Sequence, residues 1–416
     1  MAFKDSKFFK NLLIFLAVMG PGFITANVDN DAGGIATYSL AGSHFGYTLL
    51  WSIIPITLAL VVVQEMCARM AVATGKGLAD LIRENFGVKI TFYFMLALLF
   101  VNLANVMAEF AGVAASLEIF GISKYISVPL SAAFVWVLVV KGNYKSVEKV
   151  FLTACVFYVA YVISGFMAKP NWSEVLHDTV KPHIQFDVEY IMILVALIGT
   201  TIAPWMQFYL QSSVVEKRIN PEEYPYARLD VIIGCIFAPI VAFFIVVACA
   251  ATLYQAGIRV DTAQDAAIAL KPLAGDYASW LFAFGLFNAS LFAASVLPLS
   301  TAYSICEGMG WDTGIDKQFK EAPQFFGLYT AIIMVGAGIV LIPSFPLLKI
   351  MYLSQVGNGI LLPIVLIFMI TLINDESIVG EFVNTKFFNI VCWVTVITLS
   401  ILSSALLVFS FWRSSA

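Results

Sequence analysis

The sequence predicts an all-α polytopic membrane protein of about eleven transmembrane helices, two of them interrupted. Three observations carry that reading. The chain is 61% hydrophobic and 12% charged over 416 residues, with a mean hydropathy of +0.90. Apolar runs of about 20 residues, the length that crosses hydrocarbon, recur from end to end. Two of these runs are broken by Gly, Pro and polar residues, and the breaks sit five spans apart.

The spans fall near 12–42, 48–70, 91–117, 124–140, 150–168, 188–215, 230–254, 277–305, 325–343, 349–373 and 387–411. In the first, Leu12 to Phe23 are almost wholly apolar and Ile35 to Trp51 resume the pattern. Between them lie Gly20-Pro21-Gly22 and Asp29-Asn30-Asp31-Ala32-Gly33-Gly34. Ionised groups at bilayer depth are costly, so Asp29 and Asp31 face a protein interior or a wet cavity and read as functional. Gly33 and Gly34 let the helix unwind there, which lipid permits only where the backbone lines a cavity. An interruption this central excludes a cleaved signal peptide.

The second span carries Glu65 four residues before Arg69, a spacing that suits an ion pair along one helix, with a vestibule role as the sharper alternative. The third carries Glu109, either a buried structural partner or a vestibule carboxylate. The fourth and fifth flank the basic stretch Lys141, Lys145 and Lys149. The sixth is broken at Thr200-Thr201-Ile202-Ala203-Pro204-Trp205-Met206-Gln207, where Pro204 removes a backbone donor and clashes with the preceding turn. Ala203 offers a carbonyl in that unwound stretch, while Gln207 and, in the tenth span, Gln355 offer amide oxygens. Interrupted spans at matching places in two halves point to an inverted-repeat transporter with a central cation site. On that reading one transport domain covers 1–416, with repeats at about 12–168 and 188–373 and an added helix at about 387–411.

Assigning the loops alternately to two sides gives sixteen Lys and Arg against seven. The positive-inside rule then places the N-terminus in the cytoplasm and, with eleven spans, the C-terminus outside. Six cysteines are scattered singly and read as small buried hydrophobes. Three dispersed histidines, and no nucleophile–base pair, phosphate loop or zinc motif, speak against an enzyme. Nothing in the charge pattern suggests a nucleic acid or protein partner; the lipid bilayer and a cation are the expected ones. Short tails suggest a bacterial inner membrane.

Several motifs resemble the Nramp (natural resistance-associated macrophage protein) family of divalent-metal transporters. They are Gly20-Pro21-Gly22-Phe23, Asp31-Ala32-Gly33-Gly34-Ile35-Ala36-Thr37, Thr74-Gly75-Lys76-Gly77-Leu78-Ala79-Asp80, Ala108-Glu109 with Gly112, and Leu353-Ser354-Gln355-Val356. The resemblance implies a LeuT-type 5+5 inverted repeat with helices 1 and 6 broken, and Asp31 as a metal ligand.

The departures are as informative. The resemblance implies an Asn ligand where this chain has Gly34, and a Met thioether ligand where it has Ala203. Losing a soft sulfur donor while keeping carboxylate, carbonyl and amide oxygens favours Mg²⁺ and Mn²⁺ over softer metals. A roomier pocket of Asp31, Asp29, Ala203, Gln207 and Gln355 beside Gly34 suits a partly hydrated Mg²⁺, which dehydrates reluctantly. Such a site looks like the Nramp-related magnesium transporter branch. Coupled relatives carry titratable groups where this chain has Val106, Trp205 and Gln211, so the expected mechanism is alternating access without proton coupling. Glu109, with Asp29 and Glu65, could still form a carboxylate relay. The runner-up is a proton-coupled Mn²⁺/Fe²⁺ transporter, and a cation channel comes after it. No cofactor is expected, since Mg²⁺ or Mn²⁺ would be cargo.

Overall fold

The computed structural model describes residues 20–141, 159–261, 265–266 and 278–414. The start of the expected first span, residues 150–158 of the fifth, residue 277 of the eighth and Cys155 lie outside them, as do Lys4, Lys7, Lys10, Lys145, Lys149 and Lys271. Among the described residues every regular element is helical.

The first span is two helices, α1 (Pro21–Val28) and α2 (Ala32–Phe45), and the sixth is also two, α9 (Val188–Thr201) and α10 (Pro204–Glu216). Both breaks fall within the stretches the sequence marks, but the first is narrower than expected: Gly33 and Gly34, read as unwinding the helix, stand in the first turn of α2, and only 29–31 are non-helical. Pro21 and Pro204 stand in the first turns of α1 and α10, where a missing N–H costs nothing and the fixed φ favours helix entry.

The unbroken spans are α3 (Ile53–Thr74), α5 (Val88–Glu118), α6 (Lys124–Val140), α11 (Tyr224–Cys249), α12 (Ala278–Met309), α13 (Pro323–Val340), α14 (Leu347–Ile373) and α16 (Lys386–Ser414), with α7 (Val159–Met167) describing the end of the fifth. Among the described residues eight helices, counting α9 and α10 together, are long and apolar enough to cross a membrane. Their bounds match the expected spans closely except for α11, which starts at Tyr224 instead of near 230 because a turn at Pro221–Glu223, closed by an Asn220/Glu223 capping box, launches it.

Three short helices, α4 (Leu78–Phe86), α8 (Trp172–Val180) and α15 (Glu376–Val379), stand in connections. The α8 segment stands in the connection between the fifth and sixth spans. Too short for a hydropathy signal, α4 buries Leu78, Ala79, Leu81 and Ile82 and presents its polar residues outward. Cys67, Cys235, Cys249, Cys306 and Cys392 are free and buried, as expected.

The broken helices sit at the centre. α2 packs against α9, α11 and α14, while α1 packs against α10, α11 and α12. Small residues set these distances. A Cβ on Gly112 of α5 would lie 2.5 Å from the Ala32 Cβ, so α5 reaches the first turn of α2 and carries Glu109, one turn back, to the break. A Cβ on Gly199 of α9 would collide with the Gln355 carbonyl and lie 2.9 Å from the Gly359 Cα. That approach brings α14, with Gln355, against the second break.

This contact makes a direct prediction. Gly199→Val overpacks α9 against α14 and should destabilise the fold by about 1–3 kcal/mol. Gly327→Ala, where an added Cβ meets nothing within 4 Å, should stay within about 0.5 kcal/mol. Thermal melts of the purified proteins in detergent check both.

Candidate metal site

The two breaks meet in a buried polar cluster. Asp31 is the N-cap of α2 and its Oδ1 accepts the Gly34 N–H at 2.6 Å. A short acceptor is what a helix N-terminus in a water-free interior requires. Glu109 reaches the same turn from α5: its Oε2 accepts the Ala32 N–H at 3.2 Å, and its carboxyl lies within hydrogen-bonding reach of the Asp31 carboxyl. Asp29 accepts the Tyr38 hydroxyl at 3.4 Å, and that hydroxyl also stands 3.4 Å from Thr201 Oγ1 across the second break. Asp29, Asp31 and Glu109 are at most 3% exposed.

Charge balance marks these groups, as it does buried Asp230 and Glu307. None of the ion pairs among the described residues involves Asp29, Asp31 or Glu109. Among the described residues Asp29 Oδ1 has no hydrogen-bond donor, and Glu109 Oε1 has none beyond the Asp31 carboxyl. Buried carboxyls without counter-charge are neutralised by protons or by a cation, because an unpaired ionised carboxylate is too costly in a low dielectric. Among the described residues no three His, Cys, Asp or Glu side chains converge into a ready-made metal cage. An ion here must therefore draw on carbonyls, amides, hydroxyls and retained water.

The other expected donors divide. Gln355 belongs to the cluster: its amide lies against Gly33, and its Oε1 accepts Asn358 Nδ2 at 2.7 Å. Gln207 instead folds back on its own helix; with its amide oriented as its neighbours require, the nitrogen donates to the Ala203 and Pro204 carbonyls at 2.6 and 2.7 Å. The Ala203 carbonyl also accepts the Met206 N–H at 3.0 Å, so both its lone pairs are engaged in this conformation.

The expected roominess beside Gly34 is not found. A Cβ on Gly34 would collide with the Asp29 carbonyl and lie 3.2 Å from Thr200 Oγ1 and 3.3 Å from the Tyr38 ring. Backbone and hydroxyl oxygens occupy that space. Glu65 is not brought to the break. It is paired with Arg69 at 3.1 Å and Arg228 at 3.8 Å, and accepts the Tyr224 hydroxyl. The ion-pair reading of Glu65 is the one its geometry supports.

Sequence reasoning missed four members of the cluster: Tyr38, Thr200, Asn105 and Asn358. The two asparagines exchange amide hydrogen bonds between α5 and α14 at 2.8 and 3.2 Å and anchor Gln355. Polar residues in mid-span were the available signal for Asn105 and Asn358. Val106, Trp205 and Gln211, which the resemblance sets against titratable groups of coupled relatives, are buried within the fold. Val106 is wholly buried and lies where a Cβ on Gly336 would touch it at 2.7 Å. The Trp205 carbonyl accepts Ser300 Oγ at 2.9 Å, and Gln211 donates to the Lys76 carbonyl at 2.9 Å.

Comparison with known proteins agrees with this architecture. A family model described as natural resistance-associated macrophage protein-like matches residues 22–409. The chain belongs to the Nramp family. Among curated relatives, this Nramp chain is 27% identical over 382 residues to the divalent metal cation transporter MntH of Caldanaerobacter subterraneus, covering 89% of this chain and 88% of that one. It is 28% identical over 418 residues to MntH of Clostridium acetobutylicum, covering 97% and 93%. Among solved structures, the Eremococcus coleocola manganese transporter superposes with a TM-score of 0.76 at 21% identity, covering 95% of this chain and 86% of that one. MHP1, a nucleobase-cation-symport-1 family transporter, superposes with a TM-score of 0.55 at 14% identity, covering 94% and 90%. The expected all-helical architecture with several apolar spans is the fold of this Nramp chain.

The polar pairing yields a prediction. Asn358→Leu strips a partner from both Asn105 and Gln355 and should cost about 1–3 kcal/mol for each buried group left bare. It should also weaken binding of a divalent ion, read by calorimetry alongside the melting temperature.

Proposed function

We propose that the chain is a secondary transporter that moves divalent metal ions across a membrane by alternating access, binding the ion between the two helix breaks. The observation that carries this reading is the set of buried carboxyls, Asp29, Asp31 and Glu109, without a counter-cation among the described residues. Asp31 is the principal ligand, with Asp29, the Thr200 hydroxyl and the Gln355 amide as further oxygen donors. Ala203, Gln207 and Gly34 contribute backbone or amide groups once the second break rearranges. We retain the repeats at about 12–168 and 188–373, and an N-terminus in the cytoplasm with the C-terminus outside.

Manganese is the cargo that best fits the family comparisons, and an all-oxygen donor set accepts it. The Asp31–Glu109 contact supports a proton route in this reading, since a cation arriving at Asp31 would displace a proton shared with Glu109. A second reading, Mg²⁺ carried without protons, draws on Ala203 in place of a thioether and on Val106, Trp205 and Gln211 in place of titratable groups. An inside-negative potential would then drive uptake, at about 2.3 kcal/mol per charge per 100 mV.

Flux into liposomes with internal pH read in parallel tests these readings. Asp31→Ala should lower flux of every divalent ion by about 100-fold or more, as expected for a direct ligand. Proton uptake that tracks Mn²⁺ and vanishes in Glu109→Gln would support the first reading. Mg²⁺ uptake driven by potential at constant internal pH would support the second. Ala203→Met, which restores a thioether where Gly34 leaves no room for an amide, should raise the Mn²⁺ to Mg²⁺ flux ratio several-fold. Normal flux in Asp31→Ala would exclude this site altogether.

A further inference from the structure

The two ends of the pathway differ. Towards the C-terminal end of α2, a cavity of about 340 Å³ is lined by Leu40, His44, Glu189, Met192, Lys349 and Tyr352. At the opposite end α1 is packed shut: Pro21, Gly22 and Ile24 to Val28 are all buried. That closed end is held by a carboxylate from another helix. Asp230 of α11, 2% exposed, accepts the Gly22 N–H at 2.7 Å on Oδ2 and the Phe23 N–H at 3.3 Å on Oδ1. No side chain of α1 caps its own N-terminus, so Asp230 supplies from outside what the helix lacks.

The surrounding contact is built for close approach. A Cβ on Gly22 would lie 2.6 Å from the Val231 Cα, and one on Gly234 would lie 2.7 Å from the Phe23 Cα. The rings of Phe23 and Phe237 stand 5.8 Å apart. Asn30, at the break, donates to the Ala238 carbonyl at 3.3 Å. The α1 half-helix is thus fastened to α11 at its N-terminal end and tethered at its hinge end.

We propose that Asp230 is the latch of this end of the pathway: its carboxylate holds α1 on α11 while the opposite end is open, and transport requires α1 to leave it. This inference rests on the transport reading above. Asp230 does not touch the ion, so it is a positioning residue. Releasing it should shift the population towards the state open at the α1 end.

Two measurements on the full-length protein in liposomes test the latch. In a Thr25→Cys background, Asp230→Ala should speed modification by N-ethylmaleimide by about tenfold, the worth of one charge-assisted hydrogen bond. Asp230→Asn, which keeps one acceptor oxygen, should fall between. Asp230→Ala should also raise the apparent KM for ion supplied at the α2 end. Separately, Phe23→Cys with Phe237→Cys, bridged by a short cleavable bis-methanethiosulfonate, should stop flux, and reduction should restore it. Unchanged labelling in a folded Asp230→Ala would overturn the proposal, as would undiminished flux in the bridged protein, which would mean that α1 travels with α11. Labelling is read without flux, so failure of the latch is distinguishable from failure of the transport reading.

Discussion

A helix broken inside hydrocarbon leaves backbone N–H and C=O groups with no water to meet them, and every one must find a partner within the protein. The site of this chain follows from that constraint. At the first break, Asp31 takes the Gly34 N–H and Glu109 takes the Ala32 N–H. The Asn27 amide donates to the Phe23 carbonyl at 2.8 Å, and Asn30 reaches α11. At the second, Gln207 covers the Ala203 and Pro204 carbonyls. The groups that make the break tolerable are the groups an ion would meet. Structure and cation binding therefore draw on one set of side chains.

Two kinds of buried carboxylate coexist in the fold. Glu65, 2% exposed, has basic partners in Arg69 and Arg228. Such pairs tie helices together and leave little unbalanced charge. At the breaks the pairing is absent and carboxyls face each other instead. An interior that collects negative groups and withholds positive ones is disposed towards a mobile cation or a proton. The choice between these two occupants is the question of coupling, and both would act at the Asp31–Glu109 contact.

Close helix approach explains why the cluster is oxygen-rich yet compact. Gly112 admits α5 to the start of α2, and Gly199 with Gly359 admits α14 to the end of α9. The absent side chain at Gly34 does not open a void, because the Asp29 carbonyl, Thr200 and Tyr38 close over it. Backbone and hydroxyl oxygens fill that space. In the transport reading proposed above, selectivity would depend on how the second break, where the Ala203 carbonyl is engaged, rearranges around an ion.

Composition and apolar run length alone determined the helical membrane class and the bounds of most spans, since a bilayer imposes one length on every crossing element. Gly and Pro amid apolar runs located both breaks, and depth made Asp31, Asp29 and Glu109 conspicuous. Tertiary structure decided the rest. Glu65 is as buried as Glu109, and its neighbours Arg69, Arg228 and Tyr224 make it a structural ion pair, which Glu109 is not. Asn105 and Asn358 meet across 253 residues, Tyr38 and Thr201 across 163, and Asp230 and Gly22 across 208. Each of these is an ordinary polar residue in its own span. Its meaning lies in which helix it faces, and helix facing is set by packing of small residues from distant segments, which no local pattern encodes.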